Sequence, residues 1–471
     1  MAARVRRDVQ SLIDEGDAGL AVLADYARAI EKMQALDSGQ GDPTDPRSWR
    51  FQAAIHGYPE LEASKDHPRR WGSCRHDSWF FLAWHRMYLL FFERMVQFHL
   101  GDPSWALPYW DYTKVEDEAA RILPEPFRTP TVGNALHVPQ RRALVNHPVS
   151  PVPIPAHWCD ARDALKLANF ALGPGEVDPA FAGGVVDDVA PNMGARGALE
   201  DTPHGQVHVA VGGRNPDGFM SQFARAGLDP IFWLHHCNLD RLWDVWIGVH
   251  GASAMPSETA FLDTTFDFFD ADGDMVSMAI RDVLVSDDLG YAYESTAPPV
   301  GTPVPELVAG LTGAEGAGMG TPELVGATTD VSLGRRTTVD IPLAAAVAGI
   351  APEAAPSRWL LRVEDVTGTN PATPAYEVYL NVPPDERPAD HPNRRAGTIA
   401  SFGIPEASRP DAEHGGVGIT DVFDITQVVQ TLKDEDGGID AIAVTIVPAD
   451  LDGEAEDGGD VHAGRVSLYA G

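Results

Sequence analysis

SCRHDSWFFLAWHRMYLLFFE, residues 73–93, holds two histidines whose separation decides the architecture. His76 and His85 are nine positions apart, and at about 100° per residue that interval sets them on opposite faces of one helix. They converge only if His76 sits in the loop leading into the helix that carries His85. The apolar run goes on as LLFFERMVQFHL (residues 89–100), which reads as helix, as does LAVLADYARAIEKMQAL (residues 20–36) upstream.

Three more segments carry histidines in a usable pattern. TPHGQVHVAVGG (residues 202–213) spaces His204 and His208 four apart, so one helical turn projects both imidazoles from one face. DPIFWLHHCNLDRLW (residues 229–243) supplies His236 from another helix, and HGYPE (residues 56–60) supplies His56 from an earlier one. His56, His76 and His85 form one group and His204, His208 and His236 the other. Neutral imidazole suits copper, and three per group is the donor set of a two-copper centre. Phe81 precedes His85 by one turn and Phe232 precedes His236 by one turn, a weak internal repeat. A four-helix bundle with ligands facing its core is the simplest container. His235 points about 100° away from His236 and is set aside as a ligand. His67, His99, His137, His147, His157 and His250 lack a partner pattern and read as structural or exposed. A lone His-x3-His is more often a satisfied pair or a zinc site, so the flanking sequence has to carry the copper reading.

These four segments resemble the paired copper motifs of type-3 copper proteins: tyrosinases, catechol oxidases and haemocyanins. FDFFDADGDMVSMAIRDVLVSDDLGYAYES (residues 266–295) is similar to the segment closing the central domain of plant-type polyphenol oxidases. The resemblance covers most of residues 1–295. It implies a mainly α catalytic domain with two copper ions, O2 as co-substrate and small phenols as substrates. The activity it implies is oxidation of o-diphenols to o-quinones, with weak monophenol hydroxylation. A true tyrosinase or an o-aminophenol oxidase is the alternative within the enzymes. A haemocyanin-like O2 carrier is the alternative outside them, disfavoured because the chain is one unit and not a string of oxygen-binding repeats.

The resemblance also assigns roles. Cys74 lies where the family forms a cysteine–histidine thioether, here to His76. Glu200, four before His204, matches the acid that relatives use to hold a water near the coppers, and a helix-start carboxylate is the rival reading; Asp201 is the alternative acid. Gly205 follows His204 where tyrosinases often carry an asparagine, and Val209 follows His208 and adds no base. Phe223 stands where catechol oxidases place a gate residue. Tyr291 and Tyr293 match a Tyr-x-Tyr motif that packs on an N-terminal arginine, Arg6 or Arg7. Phe232 and Asp240 flank His236 by one turn on either side, and Asp240 is expected to accept a hydrogen bond from a ligand imidazole.

The remainder divides by composition. Residues 1–295 read as the oxidase domain, and the Pro/Gly-rich stretch 296–328 reads as a linker. In residues 329–471 the runs RWLLRVEDV, AYEVYLNV, AIAVTIVPA and GRVSLYA are β-like, so a β-sandwich is expected. AYEVYLNV and HAGRVSLYA resemble the C-terminal domain that covers the copper site in plant-type and fungal relatives, which makes this segment a candidate shield. With 35 Lys and Arg against 69 Asp and Glu, the net charge of −34 repels nucleic acid and anionic membranes. FFLAWHRMYLLFF is broken by His85 and Arg86 and is too short to span a bilayer. Three cysteines build no disulfide framework. The N-terminal basic residues lack a following apolar run, so a cytoplasmic location is the expectation, with export on a partner protein the alternative.

Overall fold

The computed structural model describes residues 3–37, 45–57, 71–187, 195–213, 218–303, 322–343, 356–370, 373–410, 416–436, 439, 441–449, 451 and 460–471. It divides into two compact units: Met1–Arg75, Phe80–Ala168 and Val207–Thr302 in the first, and His76–Trp79, Asn169–Gln206 and Pro303–Gly471 in the second.

The first unit is built on helices α1 (Asp17–Gln34), α2 (Trp49–His56), α3 (Phe81–Leu100), α4 (Gln206–Gly212) and α5 (Pro230–His250). Their ends are written in the sequence. Ser48 caps α2 by accepting from the Phe51 N–H, and Asp229 caps α5 by accepting from the Ile231 N–H, with Pro230 as first helical residue. Gly101, at φ 71°, stops α3. α3 and α5 are buried nearly all round, as helices in the centre of a core are. Tyr26 of α1, Trp49 of α2 and Trp233 of α5 all pack on Phe92 of α3. The Phe92 and Trp233 rings stack 3.4 Å apart, and Trp49 and Tyr26 meet Phe92 edge-on at 6.0 and 6.3 Å. This is the expected four-helix core.

Two strand pairs brace it. β1 (Arg4–Arg6) pairs in parallel with β4 (Tyr291–Tyr293), Arg6 opposite Tyr293. Between them in sequence, β2 (Thr265–Phe269) and β3 (Met275–Ala279) form a hairpin whose Phe268 packs on Trp84 and Phe91 of α3, each at 5.4 Å. Among the described residues, no helix is long and apolar enough to cross a membrane.

The second unit is a sandwich of two four-stranded antiparallel sheets. The strands are β5 (Glu323–Ser332), β6 (Thr337–Pro342), β7 (Trp359–Thr367), β8 (Tyr376–Leu380), β9 (Arg395–Ile399), β10 (Ile419–Asp424), β11 (Ala441–Pro448) and β12 (His462–Ala470). One sheet runs β10-β7-β12-β5 and the other β9-β8-β11-β6. Leu361 and Val363 of β7 face Leu468 and Val466 of β12 in register, and Val378 of β8 faces Ile446 of β11. All six are buried in one core between the sheets. The four β-like runs of the sequence are β7, β8, β11 and β12.

Two boundaries differ from the sequence reading. β5 begins at Glu323, inside the stretch read as linker, of which residues 304–321 lie outside the described residues. Its alternation is faint because it is an edge strand that buries few apolar side chains, Val325 and Val331 among them. The second unit also takes in His76–Trp79 and Asn169–Gln206, which the sequence groups with the helical domain. The reason is local bonding: the Arg196 N–H donates to the Thr420 carbonyl at 3.2 Å and the Trp79 N–H to the Gly184 carbonyl at 3.0 Å.

Candidate metal centre

In the first unit four of the six histidines converge. His56 closes α2 and donates its Nδ1–H to the Phe223 carbonyl at 3.1 Å. His85 donates to the Phe81 carbonyl one turn back at 2.8 Å, and His208 to the Met220 carbonyl at 2.7 Å. A neutral imidazole whose Nδ1–H is committed to a carbonyl presents Nε2 as its lone-pair nitrogen, the arrangement that orients metal-ligating histidines. His208 Nε2 and His236 Nε2 stand 3.2 Å apart. Two imidazole nitrogens sharing one metal at about 2.0–2.1 Å in tetrahedral geometry are separated by roughly 3.3 Å. The His85 and His236 rings stack at 4.4 Å, with His56 5.9 Å from His85.

Burial keeps the rings of His56, His85 and His208 neutral. It lowers the His56 pKa to about 3 against the opposing hydrogen bond from Phe223, and it holds His85 and His208 well below the usual value, helped by neighbouring His56 and His235 respectively. Phe81 and Phe232 do pack on their histidines one turn later, at 4.5 and 4.2 Å. The Phe223 ring lies 4.8 Å from His56. Gly57 permits that approach, because a Cβ there would come within 2.8 Å of the Phe223 carbonyl oxygen and 2.7 Å of Ala224 Cα. Cys74 is buried, with Sγ 3.3 Å from His85 Nε2, and Val209 is buried in α4.

In the second unit His76 lies in the loop before α3, as its spacing requires. Its Nδ1–H donates to Glu200 Oε1 at 2.7 Å. The same carboxylate accepts the Asp77 N–H at 3.0 Å, with Asp77 at φ 50°, a backbone position that aspartate tolerates better than most residues. His204 donates Nδ1–H to the Glu200 carbonyl at 2.9 Å. The donor atoms of His76, Glu200 and His204 lie within 4.8 Å of one another. Burial first, then Asp77, raises the Glu200 pKa well above the usual carboxylate range. The helical segment Glu200–Gly205 has non-helical backbone at Thr202, just before Pro203, and α4 follows it directly in the chain.

Asp240 corrects one expectation. Its carboxylate accepts from Arg6 at 3.2 Å, from the Tyr291 hydroxyl at 2.6 Å, and from Tyr293 and Arg86, and among the described residues from no imidazole. Two buried guanidiniums outcompete a neutral ring for a carboxylate. Burial would raise the Asp240 pKa, but Arg86 and Arg6 outweigh it and hold it below the ordinary value. Arg6 is the arginine of the Tyr-x-Tyr motif: its guanidinium lies 3.6 Å from the Tyr291 ring centre, whereas Arg7 pairs with Glu15. His235 is tied to the Tyr112 hydroxyl through Nδ1 at 2.8 Å. Tyr112, Arg196 and Phe402 carry no local sequence signal and were reachable only through the fold. Phe402 stands 5.9 Å from the His76 ring and 5.6 Å from that of His204.

Six buried imidazoles, three to a group along the chain and five of them with Nδ1 held by a fixed acceptor, fit two copper ions. The class these features define is the dinuclear copper oxidoreductases. The chain belongs to the tyrosinase and polyphenol oxidase family. Residues 46–182 and 178–249 match the common central domain of tyrosinase, residues 256–301 the polyphenol oxidase middle domain, and residues 312–471 a domain of unknown function. Tyrosinase HcTyr1 of Hahella sp. (strain CCB-MM4) is 31% identical over 511 residues, covering 99% of each chain. The chloroplastic polyphenol oxidase of Malus domestica is 30% identical over 298 residues, covering 57% of this chain and 46% of that enzyme, so the chain spans about half the length of that plant relative. The structure of latent apple tyrosinase covers 100% of this chain and 98% of its own, with a TM-score of 0.66 at 23% identity, a likeness of fold.

Proposed function

We propose that the protein oxidises small o-diphenols to o-quinones, with His56, His76 and His85 holding one copper and His204, His208 and His236 the other. When bound, the copper pair supplies the redox chemistry: two catechols and one O2 give two quinones and two waters. The observation carrying the ligand assignment is the repeated Nδ1–H contact to a fixed acceptor, found at His56, His76, His85, His204 and His208. Each contact turns Nε2 outward from its own backbone before any metal arrives.

The remaining residues shape access and proton movement. Phe223, against His56, is the gate that restricts entry to small rings. Glu200 orients His76 and, with a water in relatives' fashion, takes the proton of a phenol. Cys74 forms a thioether to His76: an S–C bond replaces the S–H and one ring C–H, and the two electrons and two protons pass to O2, giving hydrogen peroxide; the product is lighter by two hydrogens in an intact mass. The sandwich shields the site, a reading supported by Phe402 at the His76 and His204 rings.

Gly205 offers no side chain to help Glu200 hold a water, which favours diphenol over monophenol chemistry. The full-length match to a protein named tyrosinase favours the second reading, efficient monophenol hydroxylation. Initial rates of O2 uptake by the copper-loaded chain on catechol and on its monophenol separate the two. Binding of O2 without turnover of either phenol would leave a carrier instead.

A further inference from the structure

We propose that Arg196 is the latch of a self-inhibited state, holding the turn Ala400–Phe402 against His76 and His204, with Gly205 as its seat. The inference rests on the shielding role given to the sandwich above and names the residues that set it.

Arg196 is buried, and its guanidinium is shared among three partners. Nη1 donates to the Ala400 carbonyl at 2.8 Å, Nη2 to the Phe402 carbonyl at 3.0 Å, and Nε to Asp77 Oδ1 at 3.2 Å. One planar group therefore bonds both ends of the turn and the residue that follows His76. Its fork supplies three directed donors at once, which a single ammonium on a flexible stem does not reproduce. Ala400 is gripped from its other side as well, its N–H donating to Asp201 Oδ1 at 3.0 Å. Between these two grips stands the Phe402 ring, 5.9 and 5.6 Å from the two histidine rings.

The charges explain why this position takes an arginine. Asp77, Asp201 and Asp421 all face it, the last two with oxygens 3.7 Å from Nη1. Three carboxylates brought together in a buried space repel one another, and the guanidinium that pins the turn is also the cation that lets them converge. Gly205 completes the seat. A Cβ at that position would lie 2.4 Å from the Ala400 Cβ, so the turn closes only over a residue without a side chain. The departure of Gly205 from the asparagine common in tyrosinases is then a fit to the turn that covers it.

The test uses the copper-loaded full chain. Arg196→Lys keeps the cation among its carboxylates but gives up the fork. Amide exchange at residues 396–404 is expected to rise about tenfold or more, the scale of losing charge-assisted hydrogen bonds, while exchange in β7 and β11 stays as in the wild type. Catechol oxidation without any activating treatment is expected to rise by a similar factor. Gly205→Asn, which displaces Ala400 by contact and leaves Arg196 intact, is expected to do the same, and it decides the matter if Arg196→Lys fails to fold. Wild-type exchange at Ala400–Phe402 in both variants overturns the latch, and so does faster exchange when the wild type oxidises catechol at a measurable rate and the variants keep that same rate. Faster exchange with no catechol oxidation in any form, wild type included, keeps the latch and removes the catechol reading.

Discussion

His76 donates its Nδ1–H to Glu200 Oε1 across 2.7 Å, and the Asp77 N–H closes on the same carboxylate. A carboxylate is thus committed to fixing the tautomer and direction of one ligand. Glu200→Gln keeps one oxygen for His76 but removes the negative charge and puts an amide –NH2 where Oε2 accepts the Asp77 N–H. Copper affinity is expected to fall about 10–100-fold, as for other partners that orient a ligating histidine. Chelator competition measures it. Turnover compared at full copper loading then divides the roles: a larger loss on a monophenol marks proton transfer, and an equal loss on both phenols marks orientation alone.

His235 and His236 are neighbours on α5 with different commitments. His236 Nε2 meets His208 Nε2, whereas His235 Nδ1 is bonded to the Tyr112 hydroxyl. His236→Ala is expected to bind one copper per chain in place of two. His235→Asn is expected to retain both. Metal analysis of the two purified variants decides, and the opposite pattern would exchange their assignments.

Arg6 bridges two buried carboxylates, donating to Glu93 at 2.9 Å and to Asp240 at 3.2 Å. Truncation leaves both without that cation. Arg6→Ala is expected to destabilise by about 3–5 kcal/mol, the scale for breaking a buried ion pair by removing one partner. Tyr291→Phe removes one hydroxyl from Asp240, which Arg86 still neutralises, and is expected to cost about 1–3 kcal/mol. Denaturant unfolding at constant m-value gives both figures. A loss below that of Tyr291→Phe in the arginine variant would place the support of Asp240 with Arg86.

The histidine pattern was legible because it is local: four residues between His204 and His208, nine between His76 and His85. The helix core and the sandwich were legible because one-sided burial imposes periodicity on α1, β7, β8, β11 and β12, and burial all round makes α3 a continuous apolar run. Asp240 was misread because one turn from His236 fixes the height of a carboxylate on a helix and says nothing of competing cations arriving from Arg6 and Arg86. Arg196, Tyr112 and Phe402 were invisible for a related reason. Their partners stand far away in sequence, 204 residues between Arg196 and Ala400, and no local pattern encodes a contact that the fold alone creates.

His56 is one of the buried groups that make the stability of the metal-free protein pH-dependent, beside His85 and His208, whose pKa values burial also lowers. Burial lowers the His56 pKa from 6.5 to about 3. Below its ordinary pKa the unfolded chain takes up a proton that the folded chain refuses, so the contribution of this group is whole above pH 6.5 and is lost as the pH falls toward 3. Between pH 6.5 and pH 5 that loss is about 2 kcal/mol. Glutamine at the same position does not titrate and keeps a donor for the Phe223 carbonyl. Metal-free wild type is therefore expected to lose about 2 kcal/mol more than His56→Gln between pH 7 and pH 5, measured by urea unfolding of both proteins. Parallel losses would mean that this imidazole is already solvated in the absence of metal. A neutral ring at pH 5 also means that copper binding displaces no proton from His56, so calorimetry in buffers of different ionisation enthalpy should return one less proton released than an exposed histidine would give.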